Sequence, residues 1–288
     1  MMKNPYLEYA KSFDRLTSNG GKLPFGNFEK PEKIDLKDKA PVALIMSPHP
    51  DDDCIMGALP LRLMREAGFR IIVCAITLGS NLDRRKDRLI ELKKACEWIG
   101  FELQEICDGG LSDLSPKARN EKAEDWSQKV SFLTEIFKKW TPSAIFFPNS
   151  NDWNLTHLGV HLITLDSVSK MDEFFPFLIE TEYWGQMPRP NLLAESSTKE
   201  VGDLIGALSH HKGELLRNPF HIRMPAWMQD NVRRGAEVVG GQGAEAPNFN
   251  FATLYRVNRW NGKGMVAAWE GGKMLPSKNN CDTLISEE

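Results

Sequence analysis

The sequence predicts an α/β protein: a Rossmann-like three-layer sandwich with a mostly parallel sheet and a C-terminal decoration. Two observations carry this. Short, nearly continuous apolar runs, the mark of strands buried on both faces, alternate with longer segments of helical character. The first run, Val42 to Met46, leads straight into the polar cluster Ser47-Pro48-His49-Pro50-Asp51-Asp52-Asp53, and open α/β sheets bind ligands beyond the carboxyl ends of their strands.

Taken in order, residues 1–40 form an N-terminal extension with a short helix from Tyr6 to Leu16, then Gly20-Gly21 and the charged stretch Glu29 to Lys33. It is a candidate to cover the sheet or to join copies of the chain in a homo-oligomer. The main domain spans 41–260. Its strands are expected at Val42 to Ser47, Arg70 to Thr77, Glu102 to Cys107, Ala144 to Pro148 and Phe177 to Thr181. Its helices are expected at Leu59 to Glu66, with Pro60 in the first turn and a glycine C-cap at Gly68, and at Arg84 to Ile99, Glu124 to Trp140, Thr156 to Ser169 and Lys199 to Leu216. The glycines between Gly235 and Gly243 predict a flexible loop. Residues 261–288 form a tail, polar and frayed from Gly271.

A chain of 288 residues can bury a substantial core, and one large domain with decorations is expected. The formal net charge of −3 offers no electrostatic footprint for nucleic acid. The cysteines, Cys54, Cys74, Cys96, Cys107 and Cys281, lack paired spacing and read as reduced thiols of a cytoplasmic protein. No apolar segment approaches a membrane span, and Met1 to Tyr6 begin no signal-peptide core. A nucleotide-binding site is disfavoured because His49-Pro50-Asp51 stands where a glycine-rich phosphate loop would follow the first strand.

The cluster itself reads as a metal site. Pro48 and Pro50 stiffen the backbone around His49. Three adjacent carboxylates repel one another in a cleft, and a divalent cation or a helix N-terminus relieves that repulsion. Further on, His157 and His161 stand four apart after the strand-like Ala144 to Pro148, a spacing that projects both rings from one helix face and offers a third ligand. A packed or surface role is the alternative for either ring, and Cys54 is an alternative ligand.

Pro48-His49-Pro50-Asp51-Asp52-Asp53 resembles the Ala-His-Pro-Asp-Asp-Glu signature of the LmbE-like, or PIG-L, family of zinc-dependent N-deacetylases. Arg88 to Ala95, Ala207 to Glu214 and Phe251 to Val257 resemble later family motifs, so the likeness runs from Val42 to Val257. It implies one zinc ion per chain held by His49, Asp52 and His157, with Asp51 as general base. It also implies hydrolysis of the N-acetyl group of an amino sugar such as N-acetylglucosamine, or of its conjugate. Two histidines and one carboxylate leave zinc open positions, the form of a catalytic site. Asn154 departs from the pattern, standing where the family has a histidine that contacts the transition state, so His161 or His211 becomes the candidate for that contact, and the general acid is either Asp51 itself or one of these two histidines. Asp53, Thr253 and Gly213-Glu214 depart from it as well.

For substrate contacts the candidates are Arg88, Asn154 and Trp153, with Trp184 and Trp227 as further apolar platforms for a sugar ring against the alternative of core packing. Two other functions fit the same residues: a metal-dependent amidohydrolase acting on a non-sugar, and a metal-binding member of the family without activity.

Overall fold

Strand β1 (Val42–Ser47) is buried along its whole length, and its alternation divides the core. Ala43 and Ile45 belong to one apolar layer with Leu61, Leu92 and Leu204, whereas Val42, Leu44 and Met46 belong to the other with Leu133, Phe137 and Val160. A strand covered on both sides has no polar face, which is why its sequence is a continuous apolar run.

The computed structural model describes residues 3–285. Ahead of β1 lies α1 (Tyr6–Gly20); after it come α2 (Asp52–Ile55), α3 (Leu59–Ala67), β2 (Arg70–Ala75), α4 (Arg85–Ile99), β3 (Glu102–Gln104), α5 (Pro116–Glu121), α6 (Ala123–Trp140), β4 (Ala144–Pro148), α7 (Leu155–Val168) and β5 (Phe177–Thr181). The remainder comprises β6 (Leu192–Glu195), α8 (Thr198–Leu208), α9 (Lys212–Leu215), α10 (Met224–Gly240), β7 (Ala252–Trp260), β8 (Met265–Ala267) and β9 (Lys273–Leu275).

The sheet runs β3-β2-β1-β4-β5-β7-β6-β9, with β8 paired to β7. Strands β1 to β5 pair in parallel, and β7 is antiparallel to both β5 and β6. The chain leaves β1 toward β2 and β3, then returns to β1's other side with β4 and β5. The strand order therefore reverses between β1 and β4, and a crevice opens at their carboxyl ends.

The predicted fold class holds, and the differences lie in detail. The helix expected from Lys199 to Leu216 is two helices, broken at Ser209 to His211. There the Ser209 hydroxyl donates to the Gly206 carbonyl at 2.6 Å and accepts from Gly26 N–H at 3.0 Å, drawing hydrogen bonding away from the helix. The loop expected at Gly235 to Gly243 is helical up to Gly240. Gly235 is there for closeness, since a Cβ on it would lie 2.6 Å from the Leu193 side chain on β6.

Nor is the C-terminal segment frayed where it is described. Strand β9 joins the sheet beside β6, and Leu284 and Ile285 are buried in the main core. The wholly buried Arg62 of α3 secures this segment: its guanidinium pairs with Glu66 at 2.7 Å and donates to the carbonyls of Glu195, Pro276 and Asn279 at 2.9, 3.2 and 2.6 Å. At the other end, residues 25–36 strap the core. Phe25, Ile34 and Leu36 pack against it, and the Phe28 carbonyl accepts from the Trp98 indole N–H at 3.2 Å.

Two stability predictions follow from this packing. Arg62→Ala removes the cation and leaves three buried carbonyls short of a donor; it should lower unfolding free energy by about 3 kcal/mol and expose residues 276–285 to limited proteolysis. Gly159 lies in α7, where a Cβ would meet the Leu114 backbone at 2.5 Å. Alanine normally favours a helix by about 1 kcal/mol over glycine, but overpacking against rigid backbone costs about 1–3 kcal/mol. Denaturant titration should therefore find Gly159→Ala less stable than the parent.

Candidate active site

β1 ends at Ser47, whose hydroxyl donates to the His49 carbonyl at 2.6 Å and curls the chain back. Asp52, three residues past His49, opens α2 with its Oδ2 accepting from His49 N–H at 2.9 Å. The same oxygen lies 3.2 Å from His49 Nδ1. From the end of β4, α7 brings His157 into this corner: its Nε2 is 3.3 Å from His49 Nδ1 and 3.3 Å from Asp52 Oδ2. Three ligating atoms thus form a nearly equilateral triangle.

That triangle fits a metal ion. Nitrogen and oxygen ligands about 2.0–2.1 Å from a tetrahedral ion lie about 3.3–3.4 Å apart, and the fourth vertex is left for substrate or water. Charge points the same way. Burial opposes a proton on His157, but Asp52 and Asp152 outweigh it and raise its pKa to about 10. Burial likewise opposes charge on Asp52, yet His157 and His49 hold it well below the usual carboxylate range. The charges around the triangle thus favour a cation there.

Behind His157 stands Asp152, 2 % exposed, with Oδ2 at 3.3 Å from His157 Nδ1. A carboxylate in that position fixes the ring's orientation and raises its basicity toward a metal. Asp152 is itself held: Oδ1 accepts from Asn154 N–H at 2.9 Å and Oδ2 from Trp184 N–H at 3.2 Å. Its role was missed in the sequence, although its place at the end of a strand, five residues before a candidate ligand, was a usable signal.

Asp51 sits beside the triangle in a left-handed backbone conformation (φ 109°) that non-glycine residues rarely adopt. Its N–H donates to Asp53 Oδ1 at 3.1 Å. Burial first, and then the neighbouring Asp52, push its pKa well above the usual value, while Arg88 opposes them. Burial also pushes Asp53 up to about 6, and Asp53 accepts from the Cys54 thiol at 3.3 Å. The turn closes on Gly57, where a Cβ would lie 2.3 Å from Thr253 Oγ1. Tyr255 on β7 then clamps the turn, its hydroxyl donating to the Met56 carbonyl at 3.0 Å and accepting from Leu59 N–H at 3.2 Å.

The remaining candidates are placed as follows. His161 faces away from the triangle's chemistry: Nδ1 donates to the Pro148 carbonyl at 2.9 Å and the ring stacks on Phe147. Of the i, i+4 pair, only His157 joins His49 and Asp52. His211 is buried, its Nε2 has no hydrogen-bond partner among the described residues, and burial followed by Arg88 lowers its pKa to about 3. It is grouped with Asp53 and Cys54. Arg88 donates to the Pro50 carbonyl at 3.0 Å and lies 3.6 Å from Asp51 Oδ1, so it braces the aspartate loop. Asn154 caps α7, its Oδ1 accepting from Thr156 N–H at 2.9 Å. Trp153 is 71 % exposed.

Comparison with known proteins matches residues 44–168 to the family model described as PIG-L, GlcNAc-PI de-N-acetylase. No curated protein matches the sequence. Among solved structures, N,N'-diacetylchitobiose deacetylase from Pyrococcus horikoshii is similar at 14% identity with a TM-score of 0.55, covering 89% of this chain and 94% of that one. The 4-carboxy-2-hydroxymuconate hydratase GalB from Pseudomonas putida KT2440 is similar at 16% identity and a TM-score of 0.55, over 75% of this chain and 95% of that one. The teicoplanin deacetylase Orf2, solved in a zinc-inhibited form, is similar at 12% identity and 0.53, over 76% and 99%. At these identities the likeness speaks for the shared fold. The segment that matches the family model contains His49, Asp51, Asp52, Asp152 and His157, so the proposed site residues lie within the stretch that is similar to the PIG-L (LmbE-like) family.

Proposed function

We propose that the protein is a zinc-dependent hydrolase that removes the N-acetyl group from an amino sugar or its conjugate. The observation that carries this reading is the His49–Asp52–His157 triangle with a separate carboxylate, Asp51, at its side. A zinc ion bound there supplies Lewis-acid polarisation and lowers the pKa of water to about 7. The mixed nitrogen and oxygen donors suit that ion.

The protein's own groups account for the proton traffic. Asp51 belongs to no edge of the triangle and is free to take the proton of an attacking water. Arg88 and the Asp53 carboxylate hold its loop so that the side chain stays beside the ligands. The departing amine needs a proton, and Asp51 returns it. His211 is held neutral and His161 is engaged with the Pro148 carbonyl, so neither serves as that donor. Asp51 and Asp52 thereby divide their work, because only Asp52 contacts the histidines. Arg88 acts on the substrate through Asp51 instead of touching it, whereas Trp153 and the Asn154 amide remain as candidate substrate contacts.

A second reading rests on Asn154 and on the hydratase among the similar structures: the same metal frame and base adding water to a carbon–carbon double bond. The two differ in product, since only amide hydrolysis releases acetate. No helix among the described residues is long and apolar enough to cross a membrane. Four of the five cysteines are buried and all are free, which supports a cytoplasmic setting.

Acetate release from N-acetylglucosamine and its conjugates tests the proposal directly. We expect turnover that a chelator abolishes and zinc restores. Asp51→Asn should keep its zinc by elemental analysis and lose about 10²–10⁴-fold in kcat, the worth of a positioned general base. His157→Ala should lose the zinc, and Asp152→Asn should weaken zinc binding by about 10–100-fold. Full activity in Asp51→Asn would remove it as the base, and zinc retained by His157→Ala would refute the ligand set.

A further inference from the structure

An acetyl group is small, yet a much larger apolar groove adjoins the triangle. It encloses about 310 Å³ between Ile55, Tyr183, Trp184, Phe220, Met224 and Trp227. Four of these six are aromatic. Two walls are shared with the site. Ile55 is the last residue of α2, the helix that Asp52 begins. The Tyr183 ring meets the His157 ring edge-on, with centroids 5.0 Å apart. Trp184 is tied to the same frame through its N–H on Asp152.

We infer that this groove binds an apolar ring or chain carried by the substrate next to its scissile amide. The inference rests on the hydrolase reading for the reaction and on the groove alone for the ligand. A surface of this kind next to a site lined with carboxylates is expensive to leave in water. Trp184 is 45 % exposed and stands edge-on to Phe220, with centroids 6.3 Å apart. Ligand-binding clefts have this composition, mostly aromatic and apolar with a few polar groups, and here the polar residues of the lining are Asn218 and Arg223.

The walls are built to hold their shape. The 3-10 turn Phe220–Arg223 is pinned between the Phe25 strap, whose ring lies 5.7 Å from His221, and the end of α1, where Gly20 faces Ile222. The residue before Tyr183, Glu182, is paired with Arg234 of α10 at 2.9 Å. All the walls except Ile55 come from beyond residue 168, where the match to the family model ends. The groove thus lies mostly outside the segment that matches the family model.

The apolar group can sit on either side of the amide, and two substrate series separate the cases. One lengthens the amine side, from methyl to octyl glycosides of N-acetylglucosamine; the other lengthens the acyl side, from N-acetyl to N-octanoyl glucosamine. In one series kcat/KM should rise about two- to fourfold per methylene until the groove is full, and Trp184→Ala and Trp227→Ala should each cut the ratio of longest to shortest substrate by about tenfold. Trp184 is exposed enough for its variant to fold even where Trp227→Ala does not. Binding is read separately by tryptophan fluorescence on His49→Ala, where octyl N-acetylglucosaminide or N-octanoylglucosamine should bind at least about tenfold tighter than its short homologue. Length-dependent binding without amide cleavage would refute the reaction and keep the groove. Cleavage with no dependence on length in either series would overturn the groove and keep the reaction.

Discussion

The structure is organised around a single electrostatic demand: atoms 108 residues apart in sequence, His49 Nδ1 and His157 Nε2, stand 3.3 Å from one another beside a buried carboxylate. Two imidazole nitrogens and a carboxylate oxygen this close need a positive charge between them. The parallel sheet makes the meeting feasible, because β1 and β4 are neighbours that run in the same direction and end at the same level. Everything else at the site keeps that convergence from relaxing. Glycines at 57 and 185 let neighbouring loops approach where a Cβ would collide, and Gly185 would meet the Asn151 carbonyl at 2.2 Å.

Three consecutive aspartates occupy three different environments for the same reason. Asp52 faces both histidines and keeps its charge; Asp53 turns to backbone and thiol and is pushed up to about 6 by burial; Asp51 is left beside Arg88 with a raised pKa. Asp52 and Asp53 are successive residues of α2 and so point in different directions around it. The positive φ of Asp51 supplies the turn, and the strain of that conformation, on the order of 1–3 kcal/mol, is sustained by Arg88 on the Pro50 carbonyl and by the Tyr255 clamp.

The parts of the fold that could be read from the sequence are those written in local pattern. Strands β1, β4 and β5 have bounds that agree with expectation, β1 and β4 as nearly continuous apolar runs, and α3 and α4 end on glycines in the left-handed conformation. Strands β6, β8 and β9 have only three or four residues each, too few to carry a period, and they exist because β7 and β6 offer them edges. The C-terminal segment reads as polar because the group that holds it, Arg62, is buried in another element 214 to 217 residues away. At the site, spacing drew attention to His49, the three aspartates and the His157/His161 pair, the family resemblance singled out His49, Asp52 and His157, and these three do meet. Arg88 and Asn154 were read as substrate contacts because a sequence shows a charge or an amide but not its partner. In the structure Arg88 also donates to the Pro50 carbonyl and Asn154 also caps α7, partners that the sequence does not display.

Asn154 also bears on what the family match means for this chain. A capping asparagine commits its oxygen to Thr156 N–H, which leaves its Nδ2–H groups as the donors it can offer to a substrate while α7 stays capped. The ligand triangle is formed without it, since Asp152, His157, His49 and Asp52 make no use of the Asn154 side chain. Metal frame and substrate recognition are therefore separable here. The first lies within residues 44–168, and the walls beside it come from Tyr183, Trp184 and the segment after Asn218. One fold is found in both deacetylases and a hydratase, so the fold by itself does not fix the reaction. If the groove receives part of the substrate, what distinguishes that substrate is to be sought in the aromatic walls of Tyr183, Trp184, Phe220 and Trp227 and not in the ligand triangle.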